Sequence, residues 1–123
     1  MTQKILIVED SEAIRNSLVA LMQAIPGIES VRTASTMAHA VACIRQYQPS
    51  LAVLDLQLPD GVGTELIRPL RAKVPSVRIA ILTNFASDFS RKRCLCAGAD
   101  WFFDKSTEFD SLLQMLREHE SVH

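Results

Sequence analysis

Three carboxylates, a hydroxyl and an ammonium group stand directly behind apolar runs in this sequence. Glu9 and Asp10 follow "KILIV", Asp55 follows "LAVL", Thr83 closes "VRIAILT", and Lys105 comes straight after "DWFFD". If these runs are strands whose ends meet on one rim, the carboxylates lie close together. Each close pair is then unfavourable by up to ~4 kcal/mol at an effective dielectric of about 20. A divalent hard cation compensates such a cluster. With so few carboxylates and a need for open positions, Mg²⁺ held by one or two carboxylates, a carbonyl and waters suits it better than a full calcium cage. Lys105 supplies a second positive charge, so an anion such as a phosphoryl group would sit between metal and ammonium, with the Thr83 hydroxyl donating to one of its oxygens. Asp55, alone at its strand tip, is placed as a nucleophile. A carboxylate can form an acyl phosphate while metal and lysine stabilise charge on the transferred oxygens.

The elements that must bring these residues together are legible from periodicity. "KILIVE" (4–9), "LAVLD" (51–55) and "VRIAILT" (77–83) have the length and continuity of strands covered on both faces, as in a parallel sheet. "SVRTAS" (30–35) and "DWFFD" (100–104) are weaker and predict edge strands. Helical spacing joins Ile14, Leu18, Leu21 and Ile25, then Met37, Val41 and Ile44, then Phe109, Leu112, Leu113 and Leu116. Ser11 is a candidate N-cap for the first helix, which meets Pro26-Gly27 at its end. The last helix is expected to open at Ser106 or Thr107, with Asp110 three residues after Thr107. Segments 64–73 and 86–97 are weaker helices, and Pro69 inside the first of them should kink or shorten it. Strand and helix thus alternate five times. That calls for a parallel sheet with right-handed crossovers and helices on both faces, whose ligand site lies beyond the carboxyl ends of the strands.

Composition narrows the function. At 123 residues the chain is expected to form one domain over 1–123, and its 48% hydrophobic and 22% charged content are those of a soluble globular protein. No apolar run approaches the roughly 20 residues that span a bilayer. With 13 Lys and Arg against 14 Asp and Glu, the net charge of −1 carries no basic excess of the kind that marks a nucleic-acid surface. The "RKR" cluster at 91–93 reads as a solvated helix face. Cys43, Cys94 and Cys96 are odd in number and lack the spacing of a zinc site, so reduced, mostly buried thiols are expected. No leader peptide is seen, and the expected compartment is the cytoplasm. His39, His119 and His123 share no spacing that suggests a site.

The segments "ILIVEDS", "LAVLDLQLPDGVGTEL", "IAILTN" and "GADWFFDKS", in this order and in strand-helix context, resemble the receiver domain of two-component response regulators over essentially the whole chain. The resemblance implies a flavodoxin-like, three-layer αβα fold: α/β, doubly wound, with a five-stranded parallel sheet of strand order 2-1-3-4-5. It implies that Asp55 is the phosphoacceptor and that Glu9 and Asp10 are the acidic pair. Asp10, Asp55 and the Gln57 carbonyl would be Mg²⁺ ligands, with Glu9 reaching the metal through water. Thr83 matches the hydroxyl residue that engages the phosphoryl group, Lys105 the lysine that pairs with it, and Phe102 the aromatic switch position. The implied function is a phosphorylation-controlled signalling switch. A histidine kinase or phosphotransfer protein loads Asp55, and the face of the fourth helix, fifth strand and fifth helix changes to control an output domain or partner, with a homodimer through that face as a further implication. Such a chain is not a conventional enzyme, although it catalyses its own phosphorylation and dephosphorylation. Neither direct nucleic-acid binding nor membrane association is implied.

Two positions depart from the pattern. Glu9 is longer than the usual aspartate, and Ser106 stands where a proline joined by a cis bond is usual; a cis bond before a non-proline residue costs ~2.5 to 4 kcal/mol. Alone, Asp55 reads as a turn or cap residue, Thr83 and Lys105 as an ordinary strand-end hydroxyl and cation, Phe102 as core, and Trp101 and Phe103 as a partner surface or edge-strand aromatics. A pseudo-receiver that binds partners without phosphorylation is the competing class. An aspartate-nucleophile phosphatase would want a second acid where Gln57 stands. A flavin site would want a hydroxyl- and glycine-rich loop where Glu9-Asp10 stands, and no P-loop motif occurs.

Overall fold

The computed structural model describes residues 3–84 and 86–122, with side-chain surroundings through Glu118. The strands are β1 (Gln3–Val8), β2 (Ile28–Ala34), β3 (Leu51–Leu54), β4 (Gln57–Leu58), β5 (Gly61–Val62), β6 (Arg78–Thr83) and β7 (Trp101–Asp104). The helices are α1 (Glu12–Gln23), α2 (Met37–Gln46), α3 (Ile67–Lys73), α4 (Asp88–Cys96) and α5 (Phe109–Val122). Five strands form a parallel sheet in the order β2-β1-β3-β6-β7, the expected 2-1-3-4-5 counted over those five. Strand order reverses between β1 and β3, where an open sheet of this kind forms its crevice.

Alternate residues of each central strand point to opposite layers. Ile5, Ile7, Leu51, Val53, Ala80, Leu82 and Phe103 pack with Leu18 and Met22 of α1 and Leu112 and Leu116 of α5. Leu6, Val8, Ala52, Leu54, Ile79, Ile81 and Phe102 pack with residues of α2, α3 and α4. Both faces are therefore dry, which is why the strands read as unbroken aliphatic runs. Each of the larger side chains among these contributes roughly 1.5 to 3 kcal/mol of transfer free energy. The register pairs Val8 with Leu54 and Thr83 with Asp104, so the residues after these strands emerge level on one rim.

Several expectations change in detail. The "LPDG" loop after Asp55 is a hairpin, with Gln57 opposite Val62 and Leu58 opposite Gly61. Segment 64–73 divides into a 3₁₀ turn (Gly63–Leu66) and the short α3, which places Pro69 in the first turn, where a proline leaves no helical hydrogen bond unmade. α5 opens later than Ser106 or Thr107. The Leu112 N–H bonds the Glu108 carbonyl, while Ser106 bonds the Asp104 carboxylate and so is not a cap. The "RKR" cluster is not simply solvated, since Arg91 reaches Glu108, the residue before α5, and Arg93 lies over Phe89. Of the cysteines, all free, only Cys94 is buried; Cys43 is half-buried and Cys96 exposed. Phe103 is buried and Trp101 lies under Arg78, so neither stands out as a free aromatic patch. The side chain of His119, and His123, lie outside the described residues.

Candidate functional site

Backbone ladders fix the acidic rim. The Glu9 N–H bonds the Ala34 carbonyl and the Asp55 N–H bonds the Val8 carbonyl, each at 2.9 Å, so both residues continue the sheet by one step before the chain turns away. Ser11 then caps α1 through its hydroxyl, 3.3 Å from the Ile14 nitrogen, and gives its N–H to Glu9 Oε2 at 3.1 Å. Arg15 donates to the carbonyls of Glu9 and Asp10 at 2.9 and 3.0 Å, shaping the loop from behind.

Beyond Asp55 the chain is held as tightly. Gly63 donates to the Leu56 carbonyl at 2.8 Å, and a Cβ on Gly63 would stand 2.0 Å from the Asp55 carbonyl oxygen, so only glycine lets the hairpin close there. The Gln57 N–H lies 3.3 Å from Asp55 Oδ1. At the hairpin tip Asp60 accepts the Met37 and Ala38 N–H groups at 2.7 and 3.1 Å, tying the hairpin to the start of α2. These bonds hold the Asp60 carboxyl below its ordinary value.

Carboxylate oxygens of Glu9, Asp10 and Asp55 all lie within 4.8 Å of one another. Glu9 and Asp55 are buried and Asp10 is exposed, so the cluster opens on one side. Lys105 enters from the opposite side with its Nζ 3.0 Å from Asp55 Oδ2 and ion-paired to Glu9 Oε1. The Lys105 and Asp55 side chains are only 9% and 8% exposed. Burial pushes the Glu9 carboxyl up to about 7; hydrogen bonds from Lys105 and Ser11 oppose that rise, and the Asp55 charge adds to it. Burial alone would lower the Lys105 pKa, but its hydrogen bonds to Glu9 and Asp55 outweigh burial and leave it above the ordinary lysine value. With all three carboxylates ionised, the one ammonium leaves two negative charges in excess. That donor set fits a hard divalent cation bound through oxygens.

A cavity of about 360 Å³ covers this cluster, lined also by Ser11, Gln57, Pro59 and Asn84. The structure therefore brings together Glu9, Asp10, Asp55, Gln57 and Lys105. Thr83 sits one step away: it is fully buried, does not line the cavity, and accepts the Lys105 N–H through its carbonyl at 3.0 Å. Phe102 is buried on the α4 side of the sheet. The Lys105–Ser106 bond is trans, as are all peptide bonds among the described residues. Sequence reasoning did not single out Arg15, Asn84 or Asp60. Only Asn84, directly after Thr83, carried a positional signal.

An α/β sheet with an acid-and-lysine rim at its switch point defines a recognisable class, and the chain belongs to the response regulator receiver domain family, which it matches over residues 5–117. It is 36% identical over 115 residues to the DNA-binding transcriptional activator DevR/DosR of Mycobacterium tuberculosis, covering 94% of this chain and 53% of that protein. It is 28% identical over 118 residues to the response regulator VraR of Staphylococcus aureus, covering 96% and 56%. The chain thus spans about half the length of these relatives. Among solved structures it resembles the BeF3-activated DrrB receiver domain, with a TM-score of 0.85 at 26% identity over 98% of this chain and 99% of that one.

Proposed function

We propose that this receiver domain accepts a phosphoryl group on Asp55 and signals by the change that follows. The observation that carries the reading is Asp55 itself, a buried carboxylate fixed at the end of β3, 3.0 Å from the Lys105 ammonium and inside a carboxylate cluster with charge to spare for a metal. In the step, an Asp55 carboxylate oxygen bonds to phosphorus as the bond from phosphorus to the donor's leaving atom breaks. Lys105 then pairs with the transferred oxygens instead of with the free carboxylate. Glu9, Asp10, Asp55 and the Gln57 carbonyl are the groups to hold Mg²⁺, which when bound offsets the negative charge of the acidic cluster and of the incoming phosphoryl group. That a similar receiver, DrrB, is activated by BeF3 supports this choice of chemistry.

The chain's own groups carry out loading and later hydrolysis, and a histidine kinase or phosphotransfer protein is the donor. Thr83 and Phe102 form the switch, and the face of α4, β7 and α5 transmits the change to an output domain, to a partner or to a second copy. Free thiols on Cys43, Cys94 and Cys96 agree with the reducing cytoplasm, and no helix among the described residues is long and apolar enough to cross a membrane. The test is intact mass after incubation with a small phosphodonor, with and without Mg²⁺, on the parent and on Asp55→Asn. One phosphoryl gain that needs both Mg²⁺ and Asp55 is expected. No gain from several donors, in a folded protein that binds Mg²⁺, would make this a pseudo-receiver.

A further inference from the structure

A chain of side chains ties the lysine loop to α4, and the phosphoryl chemistry above makes no use of it. Arg91 lies over the Phe102 ring with its guanidinium carbon 4.9 Å from the centroid. It donates through Nη1 to the Phe102 carbonyl at 3.1 Å and through Nη2 to Glu108 Oε1 at 2.7 Å. That same Glu108 oxygen accepts the Asp104 N–H at 3.2 Å, and the Glu108 N–H donates to the Asp104 carbonyl at 2.7 Å. Asp104 Oδ1 accepts both the N–H and the hydroxyl of Ser106, at 2.8 and 2.6 Å. Lys105 is thus flanked by two residues locked to each other, one of them locked in turn to α4 and α5.

The pair of Arg91 and Glu108 is a poor candidate for mere stability. Its side chains are 41% and 32% exposed, and an ion pair so wet contributes little. Its geometry is specific instead: a planar fork reaches a carbonyl and a carboxylate at once while stacking on a ring, which a lysine cannot reproduce. We propose that Arg91 and Glu108 are positioning residues for the phosphoryl chemistry. They fix residues 104–106 so that the Lys105 ammonium faces Asp55, and through Phe102 they link that loop to α4, a route separate from Thr83. This rests on the reading of Asp55 as the acceptor.

The test is the rate of phosphoryl loading from a small donor across a range of Mg²⁺ concentrations, for the parent, R91Q, E108Q, the double variant, R91K and the neighbouring control K92Q. The maximal rate should fall at least about threefold in R91Q and in E108Q, and the double variant should be no worse than the poorer single, because the two residues act as one unit. R91K should not restore the rate. The Mg²⁺ concentration at half-maximal rate should stay within about twofold of the parent, since the metal ligands lie on the other strands. K92Q should match the parent. Where R91Q does not fold, E108Q carries the test. Parent-like rates in folded R91Q and E108Q would overturn the proposal, and so would a rate loss matched by weaker Mg²⁺ dependence, the mark of general loosening. A parent that does not load at all would instead sink the reading of Asp55, and this proposal with it.

Discussion

At the end of β3, Asp55 is held by backbone: its own N–H continues the sheet, Gly63 lies against its carbonyl, and the hairpin that follows is tied to α2. At the end of β7 the Lys105 N–H also continues the sheet, to the Thr83 carbonyl, but the turn beyond it leans on side chains, with Asp104 binding Ser106 and Arg91 and Glu108 holding the far side. Backbone ladders yield only by local unfolding, whereas side-chain contacts exchange at small cost. The comparison shows a division of labour: the loop after Asp55 is held by backbone, and on the proposed function the turn after Lys105, held more by side chains, is the part that moves.

Gly63→Ala breaks the rigid half and should have the largest effect. The added Cβ meets the Asp55 carbonyl oxygen, so stability should fall by about 3 kcal/mol and phosphoryl loading should collapse. A urea titration beside a loading assay checks both, and a parent-like midpoint would mean that the hairpin is softer than described. Lys105→Met removes the cation shared by the halves and leaves buried carboxylates unpaired, at a cost of about 3 kcal/mol. The loss should be greater at pH 8 than at pH 6, because a protonated Glu9 relieves the repulsion.

The Glu9 carboxyl gives a third, smaller effect. Its folded pKa, about 7, lies above the ordinary 4.5, so the folded state binds the extra proton. Its contribution to stability is fully present below the ordinary value and is lost as pH rises through about 7. In EDTA the urea midpoint should therefore decline from pH 5.5 to 8, and Glu9→Gln should flatten that slope. Mg²⁺ favours the ionised form, so its affinity should rise over the same window. A slope unchanged in Glu9→Gln would assign the titration to another group.

Ser106→Ala touches only the movable half and should do least. It removes the hydroxyl bond to Asp104 but keeps the N–H bond, so loading should slow by less than about threefold with little change in midpoint. A larger loss would show that the serine hydroxyl, rather than the loop as a whole, sets the lysine.

Much of the rigid half was legible in the sequence. Strands buried on both faces leave unbroken runs such as "ILIV", and the carboxylates stand immediately behind them. The hairpin was not, because two-residue strands have no period to detect. α4 read weakly because Cys94 is its one buried residue, and its start rests on reciprocal bonds between Ser87 and Ser90. The movable half was least legible. Arg91 on α4 and Glu108 in the loop before α5 lie 17 residues apart, and "RKR" carries no sign that its first arginine faces inward. Ser106 stood out only as a departure, while its bonds to Asp104 needed the folded loop to be seen.

The central claim is that Asp55 alone carries the phosphoryl group. It is tested most directly by treating loaded protein with borohydride, which reduces an acyl phosphate to the alcohol and so turns the modified aspartate into homoserine, and then sequencing the peptides. The account predicts homoserine at position 55 and nowhere else, only in samples loaded with Mg²⁺. Homoserine at position 10 or 60, or none in protein that has gained phosphoryl mass, would contradict it.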